Sequence, residues 1–276
     1  MTHAHPAAPR AIHPEQPWFV LSAAQHYHYA ASSHPAISHF YSFTVAESVN
    51  AALAIPDGCV DIVIDCDAPR PAARVCGTTL AARSAELVCG HRYFGVRFAP
   101  GVTPDFLDLV AGELVEREFS FLDVAPDARP VLEQIMQQGQ FSQQVALFTL
   151  HFTHRLMRKT SPVTALTLYA MDQQKGNIRI DQLEGLTGYT CRTIQRQFRQ
   201  DTGMSPKTFC RILRCQSALN TIHRQASISF SDLALDLGFS DQSHFLREFK
   251  RLVSATPVSY QRHIAHHAYA GRICYN

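Results

Sequence analysis

The sequence predicts an α+β protein of two domains, a β-rich N-terminal barrel or sandwich with a helical hairpin and an all-α C-terminal domain. Three observations predict this fold class. Short β-branched and aromatic runs, bounded by Pro, Gly or Asp, occupy residues 37–100. Apolar residues at helical spacing replace them over residues 104–158. Beyond Pro162, a near-repeat predicts two helix-turn-helix units joined by a long helix.

Three runs in the β-rich part are typical of strands, at residues 37–45, 60–64 and 93–98. Several short strands at this spacing favour an antiparallel sheet curled into a barrel or a sandwich. The stretch before about Pro35 is rich in Ala, Pro and His and has no clear periodicity, so we expect its beginning to be loose.

The helical part that follows ends in a predicted hairpin, because Gly139 separates its last two apolar runs. Such a hairpin either caps a barrel or forms a dimer face. The polar segment 158–162 ends in a proline and is the predicted linker. It divides an N-terminal domain, residues 1–158, from a C-terminal helical domain, residues 163–266.

Charge is distributed unevenly along the chain. Residues 161–276 carry 14 Lys and Arg against 8 Asp and Glu, a net charge of +6. Residues 1–160 carry 11 against 15, a net charge of −4. A basic half joined to an acidic half indicates that the C-terminal half meets a polyanion. The alternative is an uneven scatter of solvated surface charge.

The C-terminal near-repeat consists of residues 180–198 and 231–249. In each copy a short amphipathic helix ends at a glycine, which can adopt the left-handed conformation that stops a helix. An aromatic residue follows, and then Thr190 or Ser240, each able to cap the next helix. Corresponding residues lie 50 apart before the turn and 51 apart after it, so the second turn is longer by one residue.

The second helix of each copy has the composition of a DNA-reading helix. Apolar residues four apart anchor one face. The opposite face carries side chains of the types that contact base edges and phosphates in a major groove. In the first copy these are Arg192, Gln195, Arg196 and Arg199, and in the second Gln242, Ser243, Arg247 and Lys250. The two units are predicted at about residues 180–202 and 229–252.

A linker helix is predicted between the units, at about residues 206–223, with Pro206 where a helix starts. Its apolar stripe consists of Phe209, Leu213 or Ile212, Leu219 and Ile222. A helix of this length spans roughly 27 Å at about 1.5 Å per residue. Successive major grooves lie about 34 Å apart, so one chain could read two of them. The alternative is a helical bundle whose arginines only solvate its surface.

Residues from about 163 to 264 resemble the DNA-binding domain of AraC/XylS-family regulators. The resemblance rests on Thr187-Gly-Tyr-Thr-x-Arg-x-x-Gln-Arg-x-Phe198 and Ala234-x-x-Leu-Gly-Phe-Ser-Asp-Gln-Ser-x-Phe-x-Arg-x-Phe-Lys250. It implies recognition helices at about residues 191–202 and 241–252. The implied base-facing residues are Arg192, Gln195 and Arg196 from the first helix and Gln242, Ser243, His244 and Arg247 from the second.

Two residues depart from the family pattern. Glu184 stands where a small apolar residue is usual, so the first unit is expected to be loose or to dock imperfectly. Ser254 replaces the glycine that usually follows the second recognition helix, which is expected to alter how that helix ends.

The front half resembles, at residues 55–61 and 93–101, a poorly characterised N-terminal domain of some AraC-type regulators. The resemblance implies a β-rich regulatory module. Arg97 lies in the middle of a predicted strand. It either pairs with Asp61 or Asp57, which is the favoured interpretation, or faces an anionic ligand.

The front half contains several histidines and cysteines, the side-chain types that bind metals or respond to redox state. His26, His28, His34 and His39 are compatible with a cupin-like metal site, but no carboxylate follows His28 at short spacing, so no metal is predicted. Cys59, Cys66, Cys76 and Cys89 are compatible with a redox or metal switch. Because none belongs to a Cys-x-x-Cys pair, buried structural thiols are favoured.

The function predicted is sequence-specific regulation of transcription, with double-stranded DNA as partner. We further expect a homodimer, a small-molecule effector, activation through RNA polymerase, no cofactor and no enzymatic activity. No apolar run reaches the roughly 18 residues of a membrane span, and no export signal is apparent, so a cytoplasmic location is expected. Two alternatives stay open: the N-terminal domain only dimerises, or the chain is a DNA-targeted enzyme or repair protein.

Overall fold

The computed structural model describes residues 12–47, 52–156, 158, 160–225 and 228–276. The strands are β1 Tyr27–Ala31, β2 Ile37–Thr44, β3 Ala52–Ala54, β4 Asp61–Asp65, β5 Ala72–Cys76, β6 Arg83–Ala85, β7 Arg92–Phe98, β8 Glu118–Ser120 and β9 Ile273–Tyr275. The helices are α1 Pro17–Ser22, α2 Ala111–Leu114, α3 Phe121–Val124, α4 Arg129–Gln137, α5 Phe141–Phe152, α6 Pro162–Gln173, α7 Ile180–Thr187, α8 Cys191–Thr202, α9 Pro206–Arg224, α10 Phe230–Asp236, α11 Gln242–Val253 and α12 Pro257–His266.

Seven strands form one sheet in the order β8-β5-β4-β7-β2-β1-β9, and β3 pairs with β6 in a second, two-stranded sheet. All pairs are antiparallel except β1 with β9, which is parallel. The α+β class with a β-rich N-terminal part and a helical C-terminal part is therefore confirmed. The three strands predicted from the sequence are β2, β4 and β7, which lie side by side in the middle of the large sheet.

One face of the large sheet is apolar and is covered by the α4–α5 hairpin. Ile62, Phe94 and Val96 on the strands belong to the same buried cluster as Phe148 and Phe152 on α5. Of the two roles considered for the hairpin, the structure shows the cap on the sheet.

The opposite face carries His39, Tyr41, Asp61 and Arg97, all buried, and is covered by the C-terminal helices. Tyr41 and Phe43 of β2 share one buried cluster with Leu219 of α9 and Phe249 of α11. The hydrophobic core therefore crosses the predicted domain boundary, and the helical domain is packed against the sheet.

Two segments that the sequence did not predict as packed elements strengthen this docking. The first is the stretch before Pro35, which contains α1 and β1. Residues 1–11, which were expected to be loose, lie outside the described residues. Trp18 Nε1 donates a hydrogen bond to the Val253 carbonyl at the end of α11, 3.1 Å away. The second is β9, which follows the helical domain and pairs with β1.

The helical domain is organised around α9. Phe209 and Leu213 in its first half are buried in one cluster with Ile194 and Phe198 of α8. Its second half is buried with the helix pair α10–α11. A further face of α9 is covered by the N-terminal segment, because the Glu15 N–H donates a hydrogen bond to Gln216 Oε1 at 2.7 Å. No helix in the described part of the chain is long and apolar enough to cross a membrane.

Candidate nucleic-acid interface

The first helix-turn-helix unit is α7 and α8. α7 ends at Gly188, whose φ of 73° is left-handed, and the Thr190 hydroxyl accepts a hydrogen bond from the Thr193 N–H at 3.3 Å. Ile194 and Phe198 have no exposed surface, so they fix the inner face of α8. The outer face carries Arg192, Gln195, Arg196 and Arg199, all exposed.

The second unit is α10 and α11, and its cap differs from the prediction. Asp241, not Ser240, caps α11, because its Oδ1 accepts a hydrogen bond from the His244 N–H at 2.7 Å. That hydrogen bond lowers the pKa of Asp241. The extra residue in the second turn shifts the cap by one position, and the Ser240 hydroxyl instead donates to Asp241 Oδ2 at 2.9 Å.

The outer face of α11 resembles that of α8 with one difference. Gln242, Ser243, Arg247 and Lys250 are exposed. His244 is half-buried: its ring meets Phe239 edge-on with 5.3 Å between centroids, and its Nδ1 lies 3.1 Å from the Ser240 hydroxyl. The structure therefore places eight of the nine sequence-predicted DNA residues on open helix surfaces and the ninth, His244, against the turn.

A basic groove of about 1080 Å³ runs along α8 toward the turn of the second unit. Its cationic lining consists of Arg179, Arg192, Arg196, Arg199, Lys207 and Arg214. The acid in the lining, Asp181, forms an ion pair with Arg179 at 3.0 Å. Sequence reasoning missed Arg179, Lys207 and Arg214 because it looked for contacts only on the recognition helices.

The two departures from the family pattern have local explanations. The Glu184 carboxylate accepts a hydrogen bond from the Cys191 N–H at the start of α8. Glu184 therefore satisfies the first amide of α8, which Thr190 caps, and the neighbouring Leu183 is buried. Ser254 adopts the left-handed conformation, with φ of 64°, which Gly203 adopts after α8.

The polar face of the large sheet contains a buried charge cluster. Arg97 Nε donates to Asp61 Oδ1 at 2.9 Å and lies 3.4 Å from Asp57 Oδ2. The favoured ion pair of Arg97 is thus present, with both candidate carboxylates. Burial raises the pKa of Asp61, and the adjacent Arg97 opposes that rise. Gln16 Nε2 donates to Asp57 Oδ2 at 2.9 Å, which completes the cluster.

A cavity of about 50 Å³ adjoins this charge cluster. Thr78, Thr79 and Tyr41 line it beside Asp57, Asp61 and Arg97. Within the described part of the chain, the buried hydroxyls of Thr78 and Thr79 have no hydrogen-bond partner. A buried hydroxyl without a partner costs stability, so these two groups add hydrogen-bonding capacity to the cavity.

The front-half histidines His28 and His39 do not share a site, whereas Cys59 and Cys76 both line the cavity beside Arg97. His28 lies near Phe141 on one face of the sheet, whereas His39 stacks on Tyr29 on the other. Burial lowers the pKa of His39 well below its usual value, and Arg97 lowers it further. Among the described residues, no group of three or more His, Cys, Asp or Glu side chains can hold a metal ion. Burial raises the pKa of the thiols of Cys66 and Cys76.

Comparison with known proteins matches both parts of the chain. A family model described as a helix-turn-helix domain matches residues 185–263. The HTH-type transcriptional activator RhaS of Escherichia coli (strain K12 / DH10B) is 28% identical over 102 residues, which are 37% of this chain and 36% of RhaS. The C-terminal part of the chain is an AraC-type helix-turn-helix domain. The match to RhaS spans about a third of the length of that relative.

Solved structures similar to the chain include two that span the AraC-type domain. The match to the DNA-binding domain of AdpA, solved in complex with a target DNA, covers 39% of this chain and 96% of the AdpA chain, with 20% identity and a TM-score of 0.35. The match to an AraC-type regulator from Chromobacterium violaceum covers 37% of this chain and 91% of that regulator, with 24% identity and a TM-score of 0.33. The match to ToxT from Vibrio cholerae covers 81% of this chain and 96% of ToxT, with 11% identity and a TM-score of 0.43.

Residues 28–120 match a family model described as a domain of unknown function, DUF6597. This match covers most of the large sheet and the cavity residues Thr78 and Thr79. It confirms the resemblance of the front half to a poorly characterised domain that accompanies AraC-type helices.

Proposed function

We propose that this protein is a sequence-specific transcriptional regulator that binds double-stranded DNA and reads two successive major-groove segments with α8 and α11. One observation carries the proposal: both recognition helices are anchored on α9 by their apolar faces and present arginine- and glutamine-rich faces to solvent. Arginine forms paired hydrogen bonds with guanine and glutamine with adenine in the major groove. The basic groove beside α8 supplies charge for phosphate contacts.

The experiment that tests this is selection of bound duplexes from a random library with the full-length protein. We expect a recovered site with two half-sites about one helical turn apart. On that duplex, Arg196→Ala and Arg247→Ala should each weaken binding by about 1–3 kcal/mol, and binding should fall steeply with added salt. Arg129→Ala, at an exposed arginine on α4, is the control and should bind normally. Recovery of no enriched sequence would contradict the proposal.

We also propose that an effector occupies the cavity beside Arg97. Two carboxylates, Asp57 and Asp61, face the single guanidinium of Arg97, so the cluster is acidic on balance. The unpartnered hydroxyls of Thr78 and Thr79 add hydrogen-bonding capacity. A small polar molecule with a cationic or hydrogen-bond-donating head group suits this lining better than an anion does.

The proposal includes a homodimer, a cytoplasmic location, and activation with RNA polymerase as partner. Its support for activation is the similarity of the AraC-type domain to RhaS, which is named an activator. In the alternative of a methyl-accepting repair protein a thiolate is the nucleophile, and Cys66 and Cys76 are poorly suited to that role because burial raises their pKa. An N-terminal domain that only dimerises would leave the cavity hydroxyls unexplained.

A further inference from the structure

Three elements of the AraC-type domain meet at one point in the lining of the basic groove. They are the loop between α6 and α7, which leads into the first unit, the middle of α9, and the turn of the second unit. Their meeting residues are Asn177, Arg214 and Gly238, all of which line the groove beside α8. We call these three residues, with Phe239, the junction.

Arg214 connects α9 to the turn of the second unit by two contacts. Its Nη1 donates a hydrogen bond to the Gly238 carbonyl at 3.2 Å. Its guanidinium lies over the ring of Phe239, 4.7 Å from the centroid. Phe239 is buried, so the arginine packs on a ring that is itself fixed by the core of the second unit.

Asn177 connects the first unit to the same turn. A Cβ placed on Gly238 would lie 2.0 Å from Asn177 Oδ1, so the amide sits directly against the glycine. The preceding Gly176 also lies close to α9, since a Cβ placed on it would lie 2.4 Å from the Cys210 carbonyl oxygen. The loop is therefore wedged between α9 and the second turn.

The corresponding glycine of the first unit shows that this contact is particular to the second turn. Gly188 and Gly238 both have left-handed φ, of 73° and 71°. Nevertheless, a Cβ on Gly188 would meet no atom of the described residues within 4 Å. The turn itself requires glycine at both positions for its conformation, but only Gly238 also requires it for packing between the units.

We propose that the junction sets the distance and angle between the two recognition helices, and thereby the half-site spacing that one chain accepts. Asn177 and Arg214 are positioning residues, and the inference rests on the proposed function. Moving a half-site by one base pair shifts it by about 3.4 Å and rotates it by roughly 35° around the duplex. Two recognition helices held rigidly by the junction cannot follow that movement without losing contacts with the DNA. Two helices that can move relative to each other can follow it.

The test uses the full-length protein and the duplex recovered by library selection. Affinity is measured for the recovered spacing, for one base pair inserted between the half-sites, and for a duplex with one half-site scrambled. We expect the insertion to weaken binding of the natural protein about tenfold or more. For Asn177→Ala the penalty should shrink to about threefold or less, with single-half-site affinity unchanged. Arg214→Ala should show the same smaller penalty, together with weaker binding to every duplex, because Arg214 also contributes charge to the basic groove.

Lys207→Ala provides the matched control, because Lys207 lines the same groove but lies outside the junction. It should weaken binding to every duplex by a similar factor and leave the spacing penalty intact. If Arg214→Ala does not fold, Arg214→Lys keeps the charge without the planar stacking and carries the same expectation.

Three outcomes decide the matter. A spacing penalty that falls in the junction variants supports the inference. An unchanged penalty in folded Arg214 and Asn177 variants overturns it while leaving the proposed function intact. Failure of the natural protein to bind any selected duplex overturns the proposed function itself.

Discussion

Ser254 is a single residue at which the chain departs from its own repeat. It ends α11 with φ of 64°, where Gly203 ends α8 with φ of 75°. A side chain in this conformation is strained, whereas glycine is not. We expect Ser254→Gly to raise the free energy of unfolding by about 0.5–1 kcal/mol, measured by denaturant titration.

Gly203→Ala is the matched comparison for this prediction. A Cβ on Gly203 would lie 2.6 Å from the Ala111 carbonyl oxygen, so this variant should lose stability through both strain and a clash. A Ser254→Gly protein that is no more stable than the natural one would show that the serine side chain offsets its strain by other contacts.

Thr79 is a second residue where local chemistry predicts a measurable effect. Valine has nearly the shape of threonine but lacks the buried hydroxyl that has no partner among the described residues. We expect Thr79→Val to raise the free energy of unfolding by about 1 kcal/mol and to abolish the thermal shift produced by cavity ligands. The probes are small amines, with carboxylates of matched size as negative controls.

Thr167→Val is the control, because the buried Thr167 hydroxyl donates to the Val163 carbonyl at 2.7 Å. Losing a hydrogen bond that is made should leave stability unchanged or lower. Amines that shift the unfolding temperature of Thr79→Val as much as that of the natural protein would place the ligand elsewhere.

The strands that could be predicted from the sequence are those that are buried on both faces of the sheet. β4, β7 and β2 are adjacent central strands, and their continuous runs of apolar and aromatic residues stand out in the sequence. β8 and β9 lie at the sheet edges and are three residues long. Segments so short have no periodicity of their own, because their stability comes from the partner strand.

The recognition helices were also predictable, because caps, glycine stops and apolar spacing are local features. All nine candidate DNA residues lie on α8 or α11. The predicted cap of α11 was wrong by one residue, because the additional residue can be accommodated on either side of the turn. The half-buried position of His244 depends on Phe239, a contact across the turn that helical spacing does not encode.

The cap of α11 supports a prediction about the second unit alone. Asp241→Ala removes the acceptor for the His244 N–H, so it should lower the unfolding temperature more than Ser240→Ala does. It should also weaken binding to duplexes that keep only the half-site read by α11. Equal effects of the two substitutions would contradict the assignment of the cap.

At the scale of the whole molecule, the AraC-type domain and the large sheet share one core. Tyr41, Leu219 and Phe249 come from β2, α9 and α11 and are buried together. A ligand bound at the polar face of the sheet would therefore lie close to the helices that hold both recognition helices. In the regulator we propose, this continuity would connect a ligand at the sheet to the helices that bind DNA.

The β9 strand is the part of this packing that a short deletion can remove. Deleting residues 273–276 would leave β1 as an edge strand, because β1 pairs with β9 on that side. We expect faster hydrogen exchange for the amides of β1, measured by mass spectrometry, with α8 and α11 unaffected. Deleting Asn276 alone, which donates to the Tyr29 carbonyl at 2.8 Å, should have a smaller effect. Unchanged exchange in β1 would contradict a stabilising role for β9.

The sequence by itself determined the helix-turn-helix repeat, the long helix between its copies and the central strands. Each of these depends on residues within a few turns of one another, where spacing and capping act locally. The sequence favoured an ion pair of Arg97 with Asp61 or Asp57, and only the tertiary structure showed that both carboxylates contact it. Only the tertiary structure decided the junction of Asn177 with Gly238 and the pairing of β9 with β1. These contacts join residues far apart in the chain, and packing, not local pattern, selects them.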